Sequence, residues 1–211
     1  MMNQKLKAIA SFVSKDDTVL DTCCDHAYLA IYLKKNKLCK EAYASDINPN
    51  ALAVAKKNIA GAKLEIKTYL SDGLKTVDNK DIDTVVIAGV GADTVLDIIH
   101  SAPSSIKKYI ISSNNHLAYL RHKLRKYNLY IQEEVAVLDK HKYYVVMLVT
   151  KDYVKDNRNT IRFGKSKNVE YFRHLIKKEE EVVDRIPKNK VFRRFRHKQN
   201  IKTLQKLIKR I

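Results

Sequence analysis

The sequence predicts an α/β fold: an open, mostly parallel sheet that ends in an antiparallel hairpin, followed by a C-terminal helical hairpin or coiled coil. Three observations carry this. Apolar runs at 18–21, 41–46, 64–70, 83–88 and 109–111 alternate with segments of helical period, the pattern of strands joined by crossover helices. Residues 129–137 and 142–151 read as two more strands, and the connection 138–141 is too short for a parallel crossover, so they pair as a hairpin. From Asn168 onward the apolar residues recur at intervals of three and four.

Each element has its own signal. Leu6, Ile9, Ala10 and Val13 share one face of a short N-terminal helix. The first strand ends on Asp21 and turns into a helix from about Ala27 to Asn36, with Leu29, Ile31 and Leu33 on its inner side. The second strand ends on Asp46. Asn48-Pro49 then opens a helix, because proline in a first turn loses no hydrogen bond that the helix needs. Gly61 ends that helix, and the strand 64–70 leads to Ser71-Asp72-Gly73. Val85, Val86 and Ile87 form a continuous β-branched run, as in a strand buried on both faces, and Gly89 and Gly91 follow it. Residues 92–100 and 117–127 are helical by period. In the tail, Val169, Phe172, Ile176, Val183 and Ile186 form one apolar stripe and Ile201, Leu204, Ile208 and Ile211 a second, with Pro187 at the reversal between them. The organisation expected is a domain over 1–155 and a basic helical hairpin over 156–211.

The 211 residues suffice for one ordinary core plus an appendage, and the formal charge is +18. That charge is uneven. Residues 1–150 hold 21 Lys and Arg against 16 Asp and Glu, a balance of +5, whereas 151–211 hold 20 against 7, a balance of +13. A basic tail attracts polyanions, nucleic acid first among them. Cys23, Cys24 and Cys39 lack the spacing of a zinc site or a disulfide framework, which points to reduced thiols, a cytoplasmic location and no metal. No apolar run approaches the roughly 18 residues of a membrane span, so no membrane partner is expected.

Three strands end on acids. Asp21 lies at the first strand-to-helix turn, where open α/β sheets bind ligands, and Asp46 follows 25 positions later, where a carboxylate accepts from two ribose hydroxyls. Asp72 sits where an adenine amino group can donate to it. The glycines that usually mark a nucleotide-binding turn are absent from 21–28. Asn114, after the fifth strand, offers one amide donor and one acceptor suited to an adenine edge. Asp25, His26 and Tyr28 admit two readings: chemistry at the turn, or a helix cap, a hydrogen-bonding support and core packing. No nucleophile triad or paired glycosidase carboxylates emerge.

The segments DTCCDHAYLAIYL, YASDINPNALAVAKKNI, SDGL and VVIAGVG, in this order and spacing, resemble the bacterial tRNA (adenine(22)-N1)-methyltransferase family. The tetrad Asp25 to Tyr28 is the most specific piece, and the resemblance covers about residues 1–150, the tail more loosely. It implies a Rossmann-like class I methyltransferase using S-adenosylmethionine, with tRNA as substrate. The implied cofactor set is Asp21, Cys23, Asp25, Asp46, Ile47, Ser71, Asp72, Gly73, Ala88 and Gly89, and the implied catalytic set Asp25, Asn114, His26 and Tyr28. Arg193, Arg194, Arg196 and Lys198 are the expected RNA contacts. The chain departs from the pattern at Cys23, where such families keep glycine, at Ala92 in AGVGA, and at Ser112-Ser113-Asn114, where Gln-Pro-Asn is favoured. Cysteine tolerates positive φ poorly, so the turn is either relaxed or strained.

Methyl transfer from a sulfonium needs positioning more than a strong base, and adenine N1 presents a lone pair. A tRNA methyltransferase fits both halves of the chain. The alternatives are a noncatalytic RNA-binding protein with a degenerate Rossmann-like domain and a methyltransferase acting on another substrate.

Overall fold

A computed structural model describes residues 3–211. Its seven strands are β1 (Thr18–Thr22), β2 (Glu41–Asp46), β3 (Thr68–Leu70), β4 (Thr84–Ala88), β5 (Lys108–Ser112), β6 (Tyr130–Asp139) and β7 (Lys142–Thr150). They form one sheet in the order β3-β2-β1-β4-β5-β7-β6, with β1 to β5 parallel and β7 running antiparallel between β5 and β6. The order reverses at β1, which has β2 on one side and β4 on the other. That reversal opens a crevice at the carboxyl ends of β1 and β4, the usual ligand position in such sheets.

Alternation along the strands builds two cores. Val19, Val86, Ile110 and Val146 pack under α1 (Gln4–Ala10), α2 (Tyr28–Lys35) and α3 (Pro49–Gly61). Leu20, Val85, Ile87, Ile111 and Met147 point the other way, under α4 (Ala92–His100) and α5 (Leu117–Leu124). The tail contributes α6 (Arg158–Phe163), α7 (Val169–Arg185) and α8 (Val191–Ile208).

Several boundaries differ from the sequence reading. Only 68–70 of the expected third strand pair with β2, because this edge strand has a single neighbour and its earlier residues leave the ladder. The helix after β5 tightens into a 3-10 turn at Arg125–Tyr127 before Asn128 turns left-handed at φ 54°. Helix α6 was not expected. It is too short for a periodic signal, though Asn157 and Thr160 form a capping box at its start. Ile211 lies beyond α8 and is exposed rather than part of the seam.

The tail does not stand apart from the sheet. Phe163, Tyr171, Phe172 and Leu204 are buried in the same core as Leu120, Ile131 and Met147. A buried ion pair fixes the junction: Arg121 of α5 donates through Nε and Nη2 to the two carboxylate oxygens of Glu134 on β6, each at 2.9 Å. Its Nη1 reaches the carbonyls of Ile161 and Arg162 in α6. Gly164, at φ +93°, passes so close that an added Cβ would lie 2.0 Å from Glu134 Oε1. Among the described residues, no helix is long and apolar enough to cross a membrane and no acid, His or Cys cluster forms a metal site.

Candidate active site

The site begins at the turn from β1 into α2. Thr22 Oγ1 donates to the Val86 carbonyl at 2.9 Å, locking the end of β1 to β4. The next residues then take left-handed conformations at alternate positions: Cys23 (φ 54°), Asp25 (φ 49°) and Ala27 (φ 55°). None is glycine, so each costs about 1–2 kcal/mol relative to an ordinary backbone. Of the two possibilities left open by Cys23, the strained turn is the one adopted. It is held from outside: Cys24 N–H donates to the Ser45 carbonyl, Asp25 N–H to Asp46 Oδ2, both at 3.0 Å, and the Asn58 amide to the His26 carbonyl.

The strand-end acids have different lives. Asp21 is buried, and desolvation pushes its pKa up to about 7 against the opposing charge of Lys5, with Asp46 adding to the rise. Lys5, from α1, has its own pKa lowered by burial and partly restored by Asp21. Asp46 accepts backbone donors at both oxygens, from Asp25 N–H at 3.0 Å and Asn48 N–H at 2.9 Å. It therefore organises the turn. Asp72 is exposed and ion-paired to Lys75, in a separate hollow beside Thr94 and Asp97. Ser71 supports that loop, accepting from the Thr76 N–H, and Gly73 (φ +61°) is pressed against Ile98. Ile47 stands 65 % exposed just past Asp46.

A cavity of about 290 Å³ gathers Asp21, Cys23, Asp25, His26, Tyr28, Ala88 and Gly89, together with Lys5 and Val90. Within it His26 Nε2 lies 3.3 Å from Asp25 Oδ2, and the His26 ring packs against Tyr28 at 5.3 Å. The other ring nitrogen, Nδ1, is sealed from solvent without a partner. Burial pushes the Cys23 thiol up to about 11 and the Cys24 thiol higher still, so neither is a thiolate nucleophile at neutral pH.

Asn114 lies on the far side of Gly89. Its amide donates to the Gly89 carbonyl, while Ser113 Oγ donates to the Val90 carbonyl and Asn115 Oδ1 accepts from the Ala92 N–H at 3.0 Å. The loop after β5 is thus laced to the loop after β4. Asn114 also opens onto a larger cleft of about 580 Å³ that includes His116, His141, Tyr143, Tyr144 and His174. The structure therefore places Asp25 and Asn114 in two different cavities, linked through the Asn114 hydrogen bond to Gly89.

In the tail, Arg193, Arg196 and Lys198 are exposed on α8. Arg194 is committed elsewhere: its Nη1 donates to the carbonyls of Val183 (2.8 Å) and Ile186 (2.6 Å) at the end of α7. Lys5 escaped the sequence reading, which scored its helix only for apolar spacing. Its one signal was a lysine directly before Leu6, at the start of the Leu6–Ile9–Ala10 face.

Residues 2–147 match the methyltransferase domain family. The structure superimposes on M. capricolum TrmK, solved with S-adenosyl-homocysteine, with a TM-score of 0.83 and 31 % identity over 99 % of this chain and 98 % of that one. The chain belongs to the TrmK family of methyltransferases. Streptococcus pneumoniae Sp1610, a candidate tRNA (m1A22) methyltransferase, matches at 25 % identity and TM-score 0.89 over 99 % of this chain and all of its own. A candidate tRNA methyltransferase of Mycoplasma genitalium is 29 % identical over 71 % of this chain and 70 % of its own. The end-to-end TrmK match includes the tail, so α6 to α8 are part of the shared architecture.

Proposed function

We propose that this chain transfers a methyl group from S-adenosylmethionine to N1 of an adenine in tRNA, at position 22. The observation that carries the reading is the cavity at the β1/β4 reversal, with Asn114 bonded to its Gly89, in a chain that matches a TrmK bound to S-adenosyl-homocysteine along its whole length. The donor set fits the cofactor. A methionine moiety carries one ammonium and one carboxylate, and the cavity offers the buried Asp21 carboxylate and the Lys5 ammonium. Asp46 keeps acceptor capacity for ribose hydroxyls, and exposed Ile47 offers an apolar face for the adenine ring.

When bound, the cofactor supplies an activated methyl group on a sulfonium. The residues of this chain supply position. Asn114, held by Gly89, presents its free amide oxygen to an incoming base. Asp25, paired with His26 in the cavity, is the carboxylate that stabilises the positive charge of a methylated adenine ring in this reading. Arg193, Arg196 and Lys198 hold RNA phosphates, and Arg194 holds the hairpin that carries them.

Calorimetry with S-adenosylmethionine, followed by mass-spectrometric mapping of a methylated tRNA transcript, tests the reading. Cofactor binding with N1-methyladenosine at position 22 is the expected result. Cofactor binding without RNA methylation would assign another substrate, and no binding would leave the noncatalytic alternative.

A further inference from the structure

Helix α8 carries two phenylalanines that do nothing for the fold. Phe192 is 92 % exposed and Phe195 58 %. Three positions apart, they share one face of the helix. That face continues toward the C-terminus through Gln199, Lys202 and Lys206, all exposed, with Lys198 beside it. The opposite face carries Asn200, Leu204 and Ile208 into the protein. Over its 18 residues α8 holds six Lys and Arg and no Asp or Glu. Helix α7 holds five acids against four Lys and Arg, so the net positive charge of the pair lies on α8.

The position is equally specific. Leu204 is anchored in the core with the sheet, and Phe192, twelve residues earlier, lies about 18 Å from it along the helix axis. The aromatic pair therefore sits at the tip, beside the Pro187–Lys190 reversal. The tip is held in shape. His197 Nδ1 and the Asn200 amide both contact Glu179 Oε2 of α7, at 2.6 and 3.0 Å, and Arg194 caps the end of α7.

Building on the tRNA reading above, we propose that the tip of the α7–α8 hairpin is a base-stacking platform: Phe192 and Phe195 take unstacked bases of a single-stranded loop of the RNA, while Arg193, Arg196 and the lysine row hold the flanking phosphates. Aromatic rings interleaved with cations are the composition that binds single strands, because every unpaired base has a free π face and every nucleotide a phosphate. Paired bases offer no such face, so the platform selects loop over stem. A second copy of this chain docking through the same face would set one lysine row against another.

Tip and catalytic pocket are separable in the test. The full-length chain, its Phe192→Ala/Phe195→Ala variant and its Arg193→Gln/Arg196→Gln variant are titrated with a tRNA transcript over a range of salt. Both rings are exposed, so the fold is unaffected. Loss of the rings is expected to weaken binding about tenfold each. The salt slope should remain that of the parent, whereas the arginine variant should flatten it. A 2-aminopurine placed in successive loops of the transcript should be quenched by the parent and not by the aromatic variant. Parent-like affinity in the aromatic variant, with methylation intact, overturns the platform and leaves the enzyme reading standing. Quenching of a single-stranded oligoribonucleotide that needs both rings, in a chain that methylates no tRNA, would do the reverse. An aromatic variant that loses only self-association in sedimentation, or only binding to anionic vesicles, also overturns the proposal.

Discussion

Replacing Asp21 by Asn separates the cost of a buried carboxylate from its use. Burial raises the pKa of Asp21 from 3.8 to about 7. The folded chain therefore holds this proton more tightly than the unfolded chain. The contribution of Asp21 to stability is most favourable at low pH, falls as the pH rises from about 4 to about 7, and is level above. At 1.36 kcal/mol per pH unit, the charge costs about 4 kcal/mol once fully ionised. Asn has the same shape and no charge, but its amide hydrogens need acceptors and Lys5 loses its partner, so about half of that cost should be recovered. A gain of about 2 kcal/mol in a chain of this size corresponds to a Tm rise of about 4–8 °C. The rise should appear near pH 8 and vanish near pH 5, where the parent carboxyl is already neutral. Calorimetry near pH 8 should show the stabilised variant losing at least about tenfold in S-adenosylmethionine affinity, and the parent binding more tightly as the pH rises through about 7. Thermal unfolding near both pH values decides the matter. A variant less stable than the parent near pH 8, or a gap of equal size near pH 5, would refute the claim that Asp21 is a destabilising charge retained for its ligand.

Three further outcomes follow from the packing. Asp46→Ala removes the acceptor of both the Asp25 and Asn48 amides, so urea unfolding should show a loss of about 1–3 kcal/mol in addition to weaker cofactor binding. Gly164→Ala pushes a methyl group onto Glu134 and Arg121 at a backbone φ of +93°, and should cost at least about 3 kcal/mol, read by the same measurement; a neutral result would show that the Arg121–Glu134 pair does not set the position of α6. A chain cut after Lys151 should fail to unfold cooperatively, because Phe163, Tyr171, Phe172 and Leu204 leave the core with the tail.

The parts legible in the sequence are those where one residue's chemistry and its local period agree. Val85 to Ile87 read as a strand buried on both faces, and a hairpin was forced by the short connection 138–141, of which only Lys140 and His141 lie between β6 and β7. The family motifs in residues 1–150 led to the methyltransferase fold that the TrmK match shows. What stayed hidden depends on partners distant in sequence. Arg194 read as one more cation in RRFRHK, yet its carbonyl acceptors exist only once α7 has ended and the chain has reversed. Lys5 had no reading from the sequence, and its place beside Asp21 depends on how α1 packs on the sheet face.

Cys23 shows the two levels in direct conflict. Its own preference is against a left-handed backbone, and it adopts φ 54° with Asp25 and Ala27 doing the same in the next four residues. Within the turn a single backbone bond, Ala27 N–H to the Cys24 carbonyl at 2.9 Å, closes it. Three more hydrogen bonds hold it from β2 and α3, through the Ser45 carbonyl, Asp46 and Asn58. The turn is thus held largely by neighbours outside it, and the left-handed residues Cys23 and Asp25 line the cavity itself, so local strain accumulates at the candidate site. The same logic accounts for the buried charge at Asp21, two residues earlier at the same strand end, and ties both irregularities to a single cause.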